Sequence, residues 1–143
     1  MQRKNKRQSR VVALHTLFSM EMIHGKIGEN LSVCMDIHRK ATVETREYAE
    51  FLIKGVSENI AEIDEMIGMY CKHWDINRLA MIDLNILRIG VFELTFCNDI
   101  PSAVIINEAI EISKIYGSED SPGFINGLLD NVMKKVRKSG DNM

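Results

Sequence analysis

The sequence predicts an all-α fold, and three observations carry that expectation. Only two prolines and nine glycines interrupt 143 residues that are rich in Leu, Ile, Met, Glu and Lys, a composition that favours helix. Apolar residues recur at intervals of three and four along most of the chain, which places them on one face of a helix. No run alternates apolar and polar residues between turn signals, as a half-buried strand would. The length suits a single domain that buries a core without staples. Cys34, Cys71 and Cys97 are odd in number and widely spaced, which is not a disulfide framework and fits a reducing cytoplasm. A basic segment precedes Val11 to Met20, but His15, Thr16 and Ser19 interrupt that run and no small-residue cleavage site follows, so a soluble, unprocessed protein with no membrane span is expected.

The first helix follows Arg3, Lys4, Lys6, Arg7 and Arg10, with Leu14, Leu17, Phe18, Met20 and Met22 towards the core; Gly25 and Gly28 break it. Glu29 to Arg39 gives a short amphipathic helix through Leu31, Cys34 and Met35. From Thr42 or Thr45 a helical pattern runs to about Cys71, through Tyr48, Phe51, Leu52, Val56, Ile60, Ile63, Ile67 and Tyr70. Gly55 and Ser57 leave open whether it is one helix or two. Lys72 to Asp75 is a break, with Trp74 most simply a core plug. Asn77 is placed to cap a helix from Arg78 to about Phe96 whose apolar residues surround the axis, so its charged groups need partners; Arg88 is one, and Glu108 on the next helix another. That next helix is bracketed by Pro101, which needs no N–H at the first helical position, and by Gly117, which tolerates a left-handed cap. Ile105, Ala109, Ile112 and Tyr116 share one side of it, opposite Asn107, Glu111 and Lys114. The last helix starts at Ser121 as N-cap with Pro122 at the first position. Gly127 lies inside it at about 1 kcal/mol against alanine, for which close helix approach is the ordinary reason.

A net charge of -2 hides a segregation. Residues 1 to 10 hold five basic side chains and no acid, 134 to 138 hold four more, and 11 to 133 carry nine basic against nineteen acidic residues. Two basic ends flanking an acidic body are what a polyanion-binding patch beside a protein-binding surface looks like, and equally what solvated tails look like. Cations at a helix N-terminus oppose the macrodipole by roughly 0.3–1 kcal/mol each, a penalty that a bound anion removes, and this favours phosphate binding at the first helix. Phe124 is either core or an aromatic platform on which a base stacks. The chain has no phosphate-binding lysine loop, dinucleotide fingerprint, His-Glu-x-x-His helix or nucleophile elbow. Cys34 and His38 are four apart, but Cys71 and His73 supply no second half of a metal site. A non-enzyme without cofactor or metal is expected.

Ile106-Asn107-Glu108-Ala109-Ile110-Glu111 followed by Phe124-Ile125-Asn126-Gly127-Leu128-Leu129-Asp130 resembles the NusB family of bacterial transcription antitermination factors. Upstream, Asp83-x-x-Ile86-Leu87-Arg88-Ile89 with Phe92-Glu93-Leu94, and Arg7-x-x-Arg10-x-x-Ala13-Leu14-x-x-Leu17-Phe18, extend the likeness in order and spacing. The resemblance implies a compact fold of about seven helices in two packed subbundles, about 1–72 and about 73–138, forming one RNA-binding domain over 1–143. It implies a non-catalytic adaptor that pairs with the small-subunit ribosomal protein NusE, binds single-stranded boxA RNA of nascent transcripts, chiefly of ribosomal RNA operons, and serves the RNA polymerase antitermination complex. The RNA contacts it implies are Lys6, Arg7, Arg10, Asp120, Ser121 and Phe124; charge alone adds Arg3 and Lys4. Asp83 matches an acidic position on the face that meets NusE, whose basic surface complements an acidic body. Phe18 and Phe92 stand where relatives often have tyrosine, and His15 where glutamine is usual, so hydroxyl contacts at the first two are absent. Alternatives are the RNA-binding accessory domain of a ribosomal RNA methyltransferase, disfavoured because no methyl-donor domain stands beside it, and a structural helical homodimer.

Overall fold

The computed structural model describes residues 3–22, 41–71 and 79–137, with side chains from Lys6 onward. Among them are six helices and no strand: α1 (Arg3–Met22), α2 (Val43–Glu58), α3 (Ile60–Tyr70), α4 (Met81–Phe96), α5 (Ser102–Tyr116) and α6 (Ser121–Val136). The all-helical expectation holds. The expected short helix from Glu29 to Arg39, and the break containing Trp74, lie outside the described residues. The pattern from 42 to 71 is two helices, divided at Asn59 rather than at Gly55 or Ser57. The chain falls into two compact units that part between Glu58 and Asn59.

In the first unit, Val12, Ala13, Leu14, Leu17 and Met20 of α1 are buried, as are Ala49, Leu52, Ile53 and Val56 of α2; Phe18 is half-buried, and Met22, expected in the core stripe, is exposed at the last residue of α1. Thr42 caps α2: its Oγ1 accepts the Thr45 N–H at 3.1 Å, satisfying one of the donors that a helix start leaves open. Ser9 Oγ donates to the Thr45 carbonyl at 2.8 Å, with both residues buried, and so fixes the height of α1 against the first turn of α2.

The second unit is built around α4, in which every residue from Leu84 to Leu94 is buried. A helix covered on all sides exposes no stripe through which its polar groups reach water, so each needs an internal partner. Arg88 finds one in α3: its Nε and Nη2 donate to the two oxygens of Asp64, each at 2.9 Å, and Nη1 donates to Asn85 Oδ1 at 3.1 Å. The expected structural role of Arg88 is met by this bidentate pair, the strong geometry for guanidinium and carboxylate. Glu108 is fully buried on α5.

The C-terminal end of α4 is closed by a residue counted above with a basic tail. Arg137 is buried, and its five N–H groups are all spent on backbone and hydroxyl oxygens. Nε donates to Leu94 O at 2.9 Å; Nη1 to Ile100 O at 2.7 Å and Ser102 Oγ at 3.0 Å; Nη2 to Cys97 O at 2.8 Å and Glu93 O at 3.4 Å. Arg137 thereby gives the Leu94 carbonyl at the end of α4 a donor and adds a second one to the Glu93 and Cys97 carbonyls, which also accept the Cys97 and Ile100 N–H groups. Lys134 and Lys135 remain exposed.

Two glycines exchange roles relative to the sequence reading. Gly127 is exposed and a Cβ there would meet nothing within 4 Å, so close approach does not explain it. The tight crossing of α4 and α6 is at Gly90, where a Cβ would come 2.9 Å from Leu129 Cδ1. Helix starts also shift. Pro101 is the N-cap of α5 rather than its first residue, α4 begins at Met81 with Ala80 as N-cap, and Asp120 rather than Ser121 is the N-cap of α6. Gly117 ends α5 with φ -95°, not in the left-handed region. A Cβ at Gly117 would lie 2.6 Å from Ser121 Oγ and 2.9 Å from Ser113 O, so space rather than conformation selects glycine.

Two measurements check this account. Arg137→Ala takes the donor from the Leu94 and Ile100 carbonyls and removes three further hydrogen bonds, lowering unfolding free energy in urea by about 3 kcal/mol, and Arg137→Lys restores little because a single ammonium cannot span those acceptors; Lys134→Ala and Lys135→Ala stay within about 0.5 kcal/mol. Gly127→Ala raises stability by about 1 kcal/mol, the helix-propensity gain at an open site.

Candidate nucleic-acid interface

The basic side of the first unit is the start of α1. The backbone of α1 includes Arg3 and Lys4, whose side chains lie outside the described residues. Lys6 and Arg7 are half-buried, whereas Arg10 is only 2% exposed. Lys6 Nζ lies 5.3 Å from the centroid of the Tyr48 ring. A ring face attracts an ammonium through its quadrupole and leaves its formal charge in place. Lys6 is thereby positioned without being neutralised. Tyr48 itself stacks obliquely on Phe51, with centroids 5.6 Å apart, and these two with Glu44 and Glu47 line a shallow hollow of about 430 Å³. The two carboxylates make that hollow a poor platform for a polyanion.

In the second unit the residues of interest surround the α5–α6 connection. Gly117 N–H donates to Ser113 O at 2.8 Å, and Ser121 N–H to Ser118 O at 3.1 Å, folding residues 118–121 into a turn. Ser121 is 1% exposed. Its hydroxyl does not cap α6. Instead Oγ accepts the Ser118 N–H at 2.9 Å and donates to Asp83 Oδ1 at 2.7 Å, and the N-cap residue Asp120 makes no side-chain cap bond. Asp120 is exposed and Phe124 half-buried one turn on, with Phe124 N–H donating to Asp120 O at 3.3 Å. Phe124, which the sequence left between core and rim, stands at the rim. Asp83 lies in the first turn of α4, where a carboxylate also complements the helix dipole.

The geometry sorts the expected residues. Lys6 and Arg7 share α1 with a buried Arg10. Asp120 and Phe124 flank a buried Ser121, and the hydrogen bond from Ser121 joins that set to Asp83. Sequence reasoning treated Asp83 as belonging to a separate protein-facing surface; the 2.7 Å contact spans 38 residues of chain and left no local signal. Phe92 is buried against Phe96, with centroids 5.2 Å apart, so its missing hydroxyl belongs to the core. Among the described residues no group of three or more His, Cys, Asp or Glu side chains is arranged to hold a metal ion. Cys34 and His38 lie outside them. Cys71 and Cys97 are buried free thiols, and burial pushes the Cys71 thiol pKa up, away from the reactive thiolate. No described helix is long and apolar enough to cross a membrane.

Known proteins share the sequence pattern and the fold. The profile of the NusB family matches residues 7–134. "Transcription antitermination protein NusB" of Syntrophus aciditrophicus is 40% identical over 138 residues, covering 96% of this chain and 85% of that protein. The protein of the same name from Geobacter sulfurreducens is 41% identical over 135 residues, covering 94% and 98%. Among solved structures, T. maritima NusB superposes with a TM-score of 0.86 at 36% identity, covering 95% of each chain. A structure described as the antitermination factors NusB and NusE in complex with dsRNA superposes with a TM-score of 0.83 at 26% identity, covering 92% of this chain and 98% of that one. With the family profile spanning nearly the whole chain and relatives at 40% identity along their lengths, the chain belongs to the NusB family of non-catalytic transcription antitermination factors.

Proposed function

We propose that this protein is an RNA-binding antitermination adaptor that acts in the cytoplasm together with a NusE-type ribosomal protein. Its RNA is single-stranded boxA of nascent transcripts, chiefly from ribosomal RNA operons, and the pair presents that RNA to the RNA polymerase antitermination complex. The observation that carries the reading is the start of α1, where Lys6 rests on an aromatic face rather than on a carboxylate. Its charge is available to phosphate. The NusB relative solved with NusE and dsRNA supports both partners.

Roles follow from exposure. Lys6 and Arg7, with Arg3 and Lys4 preceding them, supply sequence-independent phosphate contacts, whose strength falls as salt rises because bound counterions are released. Arg10 is buried, so it acts by fixing α1 and its neighbours rather than by reaching far into solvent. Asp120 offers an acceptor to base amino groups and Phe124 an edge or face for stacking, which is how unpaired RNA is read. Asp83 takes a basic group of the protein partner.

Fluorescence anisotropy of labelled boxA RNA, beside a scrambled strand and a duplex, with and without an equimolar NusE-type partner at two salt concentrations, tests these roles. Lys6→Ala and Arg7→Ala weaken boxA and scrambled RNA alike, and each reduces the log-log salt slope by about 0.7. Phe124→Ala weakens boxA by about 1–2 kcal/mol and scrambled RNA much less. Equal losses on both RNAs for all three variants would remove the division between charge and stacking. Arg10→Ala lowers thermal stability along with affinity, which separates it from Lys6 and Arg7.

A further inference from the structure

Ser121 stands at a junction whose polarity is fixed by proton counting. A serine hydroxyl has one proton to give. That proton goes to Asp83 Oδ1 at 2.7 Å, so in the 3.1 Å contact between the two hydroxyls Ser118 Oγ is the donor. Ser118 N–H donates to the same oxygen at 2.9 Å. Two donors of Ser118 therefore converge on Ser121 Oγ, which passes its own proton towards the Asp83 carboxylate. Bonds aligned in this way polarise and strengthen one another. A cation placed on Asp83 draws carboxylate charge to itself, weakens the Ser121 bond, and weakens the two behind it.

The connection packs Ser121 closely against Gly117. Even a Cβ added at Gly117 would come within 2.6 Å of Ser121 Oγ and 2.8 Å of Ser121 Cβ. Movement of Ser121 is passed to the turn at 118–120 or to the first turn of α6. Those segments carry exposed Asp120 and half-buried Phe124, themselves linked by the Phe124 N–H to Asp120 O bond at 3.3 Å.

We propose that Ser121 is a positioning residue that couples occupation of Asp83 by a basic protein partner to the RNA-presenting start of α6. The inference rests on the proposed function, in which the partner meets Asp83 and RNA meets Asp120 and Phe124. It makes the partner's enhancement of RNA binding a property of the Ser118–Ser121–Asp83 chain. By linkage, RNA must raise partner affinity by the same factor.

The experiment measures boxA affinity without partner and at saturating NusE-type partner, for wild type, Ser121→Ala, Asp83→Asn and the double variant, with partner affinity followed by calorimetry. Amide resonances of Ser118 and Phe124 are recorded on adding partner without RNA. The expected result is that partner shifts both resonances in wild type, and that the partner-induced gain in RNA affinity falls about fivefold or more in Ser121→Ala, within the usual range of coupling between sites. The gain falls no further in the double variant than in Asp83→Asn alone. Ser121→Ala with cooperative melting and an undiminished gain would overturn the coupling, as would equal loss of RNA affinity with and without partner, which a merely structural serine produces. A wild-type pair that binds no RNA would remove the proposed function instead, and the Ser118 and Phe124 resonances would still decide whether partner binding reaches α6.

Discussion

A helix buried on every side has nowhere to send its polar groups, and α4 is such a helix. From Leu84 to Leu94 nothing on it reaches water freely, so the remainder of the second unit is arranged to supply partners. The Arg88 side chain is met by Asp64 from α3 and by Asn85 one turn back. The carbonyl end is met by Arg137, contributed from beyond the last turn of α6. At the opposite end Asp83 is held by Ser121. Isolated buried charges would be ruinous in such a place, and fully hydrogen-bonded ones are tolerable because the low dielectric that penalises an orphan strengthens a satisfied pair. The burial of α4 thus dictates where α3, α5 and α6 must sit.

The same satisfaction rule separates structural from functional charge. Arg88, Arg137 and Glu108 are buried, the first two in named hydrogen bonds. Lys6 is different: it is held by a ring and its charge is left over. A charge that the fold positions without neutralising is the kind that a polyanion can use, and its position at a helix N-terminus gives the fold itself a reason to welcome an anion.

Much of this was legible in the sequence because it is local. Pro101 and Gly117 bracket α5 to within a residue, and the apolar spacing gave the helices. Arg88 was marked as needing a partner by its place on an apolar helix. What was not legible is set by partners distant in sequence. Arg137 reads as one of four basic residues in a tail, because nothing near it shows that its guanidinium is taken up by carbonyls 37 to 44 residues earlier. Gly127 and Gly90 look alike until the position of Leu129 is known. Ser121 has the sequence context of an N-cap, yet its hydroxyl is taken by Asp83 and the helix starts one residue earlier than that context suggests, with Asp120 at the N-cap position.

The place of Arg137 along the chain has a consequence for synthesis. Its acceptors Glu93, Leu94, Cys97, Ile100 and Ser102 all precede it by 35 residues or more, and such a loop must close before the contact returns any stability. While the chain emerges from the ribosome, α4 and α5 are complete long before the guanidinium that joins them is available. During that interval the Leu94 and Ile100 carbonyls are without the donor that Arg137 supplies. These five hydrogen bonds are therefore the ones the second unit can form only after the last turn of α6 has been made, by a single side chain that arrives late.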